Sequence, residues 1–173
     1  MLQILESRKR HLNAVVVTGG EPTMQADLPK FLMELKDRGF CVKLDTNGFF
    51  PDVLEKSLQC LDYVALDVKT SLEKYEFLGL NDINNFVRTI DILKQGRVDY
   101  ECRTTVVPSF VDEEDIPRIG ELVKDAKRFA FQQFIPKDTL DKSFNKVKPY
   151  SPEVIADFAS VMKKYVMDVV LRV

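Results

Sequence analysis

Four short segments carry the residue types that could do chemistry: Gly19-Gly20-Glu21-Pro22, Lys43-Leu44-Asp45-Thr46-Asn47-Gly48, Ala65-Leu66-Asp67-Val68-Lys69 and Glu101-Cys102-Arg103-Thr104-Thr105. The first follows the β-branched run Val15-Val16-Val17-Thr18, which reads as a buried strand. Paired glycines at its end free the backbone for a tight turn and let a ligand approach the main chain. In the other segments strand alternation sets Asp45 against Leu44, Asp67 and Lys69 against Leu66 and Val68, and Glu101, Arg103 and Thr105 on one face. If the leucines and Val68 pack under helices, Asp45, Asp67, Lys69 and Arg103 point into a common cavity. Charges gathered there are costly unless paired or satisfied by a ligand. Two carboxylates suit an ammonium, and a lysine with an arginine suits a carboxylate, so the set fits a zwitterion. Each charge taken alone is an ordinary solvated strand end, and Asp45 also serves as a cap for the Asn47-Gly48 turn. The stronger reading rests on several strands placing charge at the edge where the double glycine lies.

The elements that must hold these segments alternate. Strand-like runs cover residues 14–18, 40–44, 63–68, 100–107, 129–135 and 168–173. Between them, apolar stripes at helical spacing run through Leu28, Phe31, Leu32 and Leu35; Val53, Leu54, Leu58 and Leu61; Ile83, Phe86, Val87, Ile90 and Leu93; Ile116, Ile119, Leu122 and Val123; and residues 154–166. Arg38-Gly39 closes the first stripe as a helix C-terminus does, and Ser151-Pro152-Glu153 opens the last. This order predicts an α/β fold with a mainly parallel sheet and right-handed crossovers, arranged as a partial, open barrel or a doubly wound sheet. Residues 2–12 read as a helix that follows an earlier strand, so the architecture starts in mid-unit. The expected organisation is one domain over residues 1–173.

With 173 residues, 45% of them hydrophobic, the chain can bury a substantial core. A net charge of −2 argues against nucleic acid as the main partner. No stretch approaches the ~20 apolar residues that span a bilayer, and residues 1–11 lack a signal-peptide core. Cytoplasm is the expected location. The three cysteines, Cys41, Cys60 and Cys102, are too scattered for a disulfide framework, a redox pair or a zinc site, and read as small buried or half-buried residues. The acidic run Asp112-Glu113-Glu114-Asp115 suits a helix start, and the lysine-bearing stretch 136–150 reads as a long solvated loop or a cover over the cavity.

In order and spacing, Gly19-Gly20-Glu21-Pro22, Asp45-Thr46-Asn47-Gly48, Asp67-Val68-Lys69 and Arg103-Thr104-Thr105-Val106-Val107-Pro108 resemble the radical SAM superfamily. Within it the chain resembles activating proteins of glycyl-radical enzymes, of the type serving anaerobic ribonucleoside-triphosphate reductase or pyruvate formate-lyase. The likeness extends from about Ile4 to Leu171-Arg172. It implies a partial (β/α)6 barrel that binds S-adenosylmethionine. It also implies a [4Fe–4S] cluster, an electron donor and a glycyl-radical enzyme as protein partner. The implied reaction cleaves S-adenosylmethionine reductively, and the 5′-deoxyadenosyl radical takes hydrogen from a partner glycine. By the same likeness Gly19, Gly20 and Glu21 hold the methionyl ammonium; Asp45, Asp67 and Lys69 contact the methionyl end; and Arg103 lies near the cofactor. Asp45, Thr46 and Asp67 line a monovalent cation site in some relatives.

The sequence departs from the pattern in lacking CxxxCxxC, whose thiolates ligate the cluster. The barrel is therefore expected to miss its first strand and cluster loop, and the chain as written to be inactive in cleavage. Pro108-Ser109 stands where the resemblance leads one to expect Pro-Gly. His11, the only histidine, lies in the opening helix, away from the chemistry. A rival reading is a cluster-less, non-catalytic module that binds S-adenosylmethionine or a protein. Another is an unrelated α/β enzyme for a sugar or phosphate ligand, against which stands the absence of a P-loop or G-x-G-x-x-G.

Overall fold

A computed structural model describes residues 2–80, 82–137 and 139–173. Six strands and six α-helices alternate along it. The chain divides into two compact units, one up to Asp67 together with Asn84–Tyr100, the other Val68–Ile83 with Glu101–Val173.

In the first unit, β1 (Ala14–Val17), β2 (Cys41–Thr46) and β3 (Tyr63–Asp67) are parallel neighbours, with Val17 beside Leu44 and Thr46 beside Leu66. Parallel strands need crossovers, and these are supplied by α2 (Leu28–Asp37) and by α3 (Pro51–Ser57) with the 3-10 turn Leu58–Cys60. Helix α2 buries Leu28, Leu32 and Leu35 and begins with Pro29 in its first turn, where a missing N–H costs nothing. It ends at Gly39, whose φ of +75° allows paired C-terminal bonds: Gly39 N–H to Lys36 O at 2.7 Å and Phe40 N–H to Leu35 O at 3.2 Å. Phe40 is buried with Leu35, completing the apolar contact of that motif.

In the second unit, β4 (Asp99–Val106, from Glu101 on), β5 (Arg128–Gln133) and β6 (Asp168–Arg172) are parallel, with Arg103 beside Ala130 and Phe131 beside Leu171. Helices α5 (Asp115–Leu122) and α6 (Pro152–Met162) pack here through Ile116, Ile119, Ile155 and Met162, all fully buried.

The strands and long helices predicted from the sequence are all present, with altered ends. Strand β2 runs on to Thr46 because Asp45 and Thr46 pair with Ala65 and Leu66. The opening helix α1 is shorter than expected, Leu2–Ser7 rather than residues 2–12, and buries no residue. Six residues without tertiary burial gain little over the cost of nucleating a helix. Helix α4 (Ile83–Lys94) has the predicted apolar face. Two 3-10 segments, Leu72–Leu78 and Lys142–Lys146, have no counterpart in the sequence reading, since neither shows a clear apolar period. Cys41 is exposed at the start of β2, not buried or half-buried as expected, while Cys60 and Cys102 are buried.

Gly48 has a φ of +81°, and a Cβ there would stand 2.6 Å from Leu66 Cδ1 and 3.0 Å from Phe86 Cδ2. Gly48→Ala combines an unfavourable backbone region with overpacking, and a stability loss of about 1–3 kcal/mol is expected in denaturant unfolding.

Candidate functional site

The first unit builds its site on the Glu21 carboxylate. Gly19 and Gly20 adopt φ of +100° and +46°, turning the chain sharply at the end of β1. Glu21 then caps the 3-10 turn Pro22–Met24, accepting from Thr23 N–H at 3.1 Å and from the Thr23 hydroxyl. The same carboxylate accepts from the Thr46 hydroxyl at 2.7 Å and from the Asn47 N–H at 2.6 Å. The double-glycine turn and the end of β2 are thereby joined through one side chain. Thr46 relays the tie, since its hydroxyl oxygen accepts from Gly48 N–H at 3.1 Å, and the Asn47 side chain accepts from Phe49 N–H at 3.1 Å.

Asp45 and Thr46 lie on opposite faces of β2. Thr46 is buried toward Glu21, whereas the Asp45 carboxylate is 14% exposed and lies 3.2 Å from Lys43 Nζ on its own face. Leu44 and Leu66 are fully buried, as the expected packing requires, and Asp67 is half-buried at the end of β3. Beside the glycine turn runs a groove of about 540 Å³ lined by Gly19, Gly20, Glu21, Met24, Leu28 and Phe31. A Cβ at Gly19 or Gly20 would meet nothing within 4 Å, so the backbone there faces open space. The turn therefore leaves bare backbone open to the approach of a ligand.

In the second unit, Val68 is fully buried, Lys69 is exposed and Arg103 half-buried. Glu101, on the Arg103 face of β4, is buried and held by Arg172 in a two-pronged pair at 3.0 and 2.7 Å. Lys69, Thr105, Val107, Phe110, Phe134 and Phe144 line an apolar cavity of about 480 Å³. Phe144 stacks on Phe110 at 5.5 Å, so part of the stretch expected to be a solvated loop does cover a cavity. Asp45 and Asp67 thus belong to one unit, Lys69 and Arg103 to the other.

Sequence reasoning passed over a buried polar cluster in the second unit. The fully buried Asp115 accepts from Lys74 Nζ at 2.6 Å, from Ser71 Oγ at 2.7 Å and from Asp112 N–H at 2.9 Å. Lys74 also reaches Asp112 at 3.2 Å, and the Tyr150 hydroxyl donates to Asp112 at 2.8 Å. Burial alone raises a carboxyl pKa, but the hydrogen bonds from Lys74 and Ser71 outweigh it and hold Asp115 below the usual carboxylate range. For Asp112 burial also opposes, and Tyr150 and Lys74 together lower it. Burial and the neighbouring Asp112 push Tyr150 up to about 12. The only advance signal was the acidic run before α5, which marked Asp115 as a helix-start residue but gave no hint of Lys74.

Cys41 opens β2, Cys60 ends a 3-10 turn and Cys102 is buried within β4, and no group of three His, Cys, Asp or Glu fit to hold a metal occurs among the described residues. No helix is long and apolar enough to cross a membrane among those residues.

A family profile described as the radical SAM superfamily matches residues 1–123. A candidate glycyl-radical enzyme activating enzyme of Methanocaldococcus jannaschii is 41% identical over 169 residues, covering 92% of this chain and 70% of that protein. A second such protein of the same organism is 31% identical over 129 residues, covering 71% of this chain and 49% of that protein. The crystal structure of a domain of pyruvate-formate lyase-activating enzyme from Bacteroides vulgatus superposes with a TM-score of 0.73. It covers 92% of this chain and 98% of that one at 15% identity, a likeness of fold alone. The expected α/β partial-barrel class is borne out by that likeness and by the parallel pairings within each unit.

Removing the cation from the buried cluster gives a direct test of its energetics. Lys74→Met is expected to cost about 3–5 kcal/mol at neutral pH, because Asp115 is left charged and buried. Asp115 and Asp112 have lowered folded values, so their contribution is present above the ordinary carboxylate pKa of 3.8 and is lost as pH falls through the folded values. Lys74 has a raised value, so its contribution is present below 10.5 and is lost as pH climbs past the folded value. Chemical denaturation of the variant and the parent across pH reads both the loss and its flattening in acid.

Proposed function

This chain belongs to the radical SAM superfamily, and we propose that it binds S-adenosylmethionine and serves the activation of a glycyl-radical enzyme. The observation that carries this is the 41% identity to a candidate activating enzyme over 169 residues, 92% of this chain. S-adenosylmethionine supplies the radical chemistry when bound beside an iron–sulfur cluster. Cys41, Cys60 and Cys102 do not fit such a cluster, so the part argued for this chain is recognition of the cofactor.

In that reading Gly19 and Gly20 present bare backbone to the methionyl end, where a side chain would block the approach. Glu21 accepts from Thr46 and Asn47, so it ties the glycine turn to the end of β2. Asp45 and Asp67 offer carboxylates to the ammonium. Lys69 and Arg103 offer cations to the carboxylate, with Arg able to make two parallel bonds and Lys a point contact. A monovalent cation at Asp45 and Asp67 remains part of the proposal, with Thr46 acting through Glu21. The partner is a glycyl-radical protein, with an electron donor to the cluster, and the cytoplasm is the proposed compartment.

Thermal unfolding under anaerobic conditions tests the cofactor reading. A saturating excess of S-adenosylmethionine, about 100 times its Kd, is expected to stabilise the chain by about 2.7 kcal/mol, seen as a rise in Tm. Asp67→Ala should abolish most of that rise, measured against its own ligand-free Tm. An equal rise in both proteins would remove Asp67 from the site, and no rise in either would overturn cofactor binding by this chain.

A further inference from the structure

We propose that Tyr75 is the positioning residue for Lys69, fixing the backbone from which the lysine reaches the cofactor carboxylate; this rests on the cofactor reading above. Regular pairing ends one residue short of the lysine. Both main-chain groups of Val68 are held by β4, its N–H donating to Arg103 O at 2.8 Å and its carbonyl accepting from the Thr104 hydroxyl at 2.7 Å. The next N–H, that of Lys69, donates instead to the Tyr75 hydroxyl oxygen at 3.0 Å. Tyr75 is fully buried, so its ring is set by packing and its oxygen must find partners inside the protein. A phenol on a rigid ring thereby stands in for a strand neighbour just past the end of β3.

The segment that carries Tyr75 is fixed at both ends. At its start, Ser71 and Lys74 are tied to the fully buried Asp115 at 2.7 and 2.6 Å. At its finish, Gly79 with φ of +74° returns its N–H to Glu76 O at 2.9 Å, and Leu80 N–H goes to Tyr75 O at 3.2 Å. The buried charge cluster therefore has a consequence beyond stability: it seats a 3-10 segment whose tyrosine sets Lys69. Groups that contact a ligand act most strongly when supporting bonds remove their freedom beforehand.

The test pairs a binding isotherm with amide exchange in the same chain. Tyr75→Phe is expected to weaken S-adenosylmethionine by about three- to tenfold, the worth of one supporting hydrogen bond. By NMR, the Lys69 amide should exchange at least ~10-fold faster in that variant while the Val68 amide keeps its protection. Phe77→Ala, a change at a 72% exposed ring in the same segment, should leave affinity and both amides as they are. A parent Lys69 amide that exchanges like an unprotected one overturns the proposal without any variant. So does Tyr75→Phe binding with parental affinity. If the parent itself shows no binding while its Lys69 amide responds to Tyr75→Phe, the cofactor reading falls, and the role assigned to Tyr75 falls with it.

Discussion

The first unit's edge depends on where the Glu21 carboxylate spends its two oxygens. One accepts from the Thr23 N–H and hydroxyl and the Thr46 hydroxyl, the other from the Asn47 N–H. Charge-assisted bonds of this kind are stronger than neutral ones, and they connect residues 25 and 26 positions apart. The glycines at 19 and 20 need that anchor. Backbone with positive φ and no side chain is intrinsically loose, and a loose turn cannot present N–H and C=O groups in one arrangement. The proline at 22 and the cap on Thr23 remove further freedom on the far side. The Glu21 carboxylate thus ties the glycine turn to the end of β2 through its own hydrogen bonds.

The second unit solves the same problem with buried charge. Asp115 opens α5 with no exposed surface and would be a liability alone. Lys74, Ser71 and the Asp112 N–H saturate it, and Tyr150 completes Asp112 from the residue preceding Ser151, the N-cap of α6. Replacing such a set by apolar residues is often neutral in stability, whereas removing one partner leaves a buried charge uncompensated. Ser109 shows how firmly that arrangement is imposed. It adopts φ of +77°, a region glycine favours, and its N–H donates to Asp112 at 3.3 Å. The turn for which the resemblance implies Pro-Gly is kept here with a serine in a left-handed conformation.

Much of this was legible in the sequence because it depends on local pattern. Alternation in Lys43-Leu44-Asp45-Thr46 set the faces of β2, and the period of Leu28, Leu32 and Leu35 set α2. Arg38-Gly39 announced its own termination through a conformation only glycine takes easily. The double-glycine turn gave its position, with Gly19 and Gly20 both at positive φ. The partners of Glu21 were not legible, since a carboxylate after two glycines is equally free to face a ligand or a threonine. Lys74, Tyr75 and Tyr150 were invisible for a related reason: their roles arise from contacts 38 to 41 residues away or from a 3-10 segment without apolar period.

The division of labour between charged strand ends and their supports bears on what a family motif means physically. Asp67 and Lys69 come from one pentapeptide, yet a unit boundary falls between them. Asp67 ends β3 with ladder geometry, and Lys69 lies beyond it with its N–H on a tyrosine. A motif such as Asp-Val-Lys fixes spacing along the chain, while its backbone is held by partners outside it: Val68 by Arg103 and Thr104 of β4, and the Lys69 N–H by Tyr75. By the same logic the glycine of Asp-Thr-Asn-Gly serves packing, with Leu66 and Phe86 occupying the room a side chain would need. These motifs thus contain residues whose part is to hold neighbouring backbone and packing in place, as the Glu21 bonds and the close approach at Gly48 do.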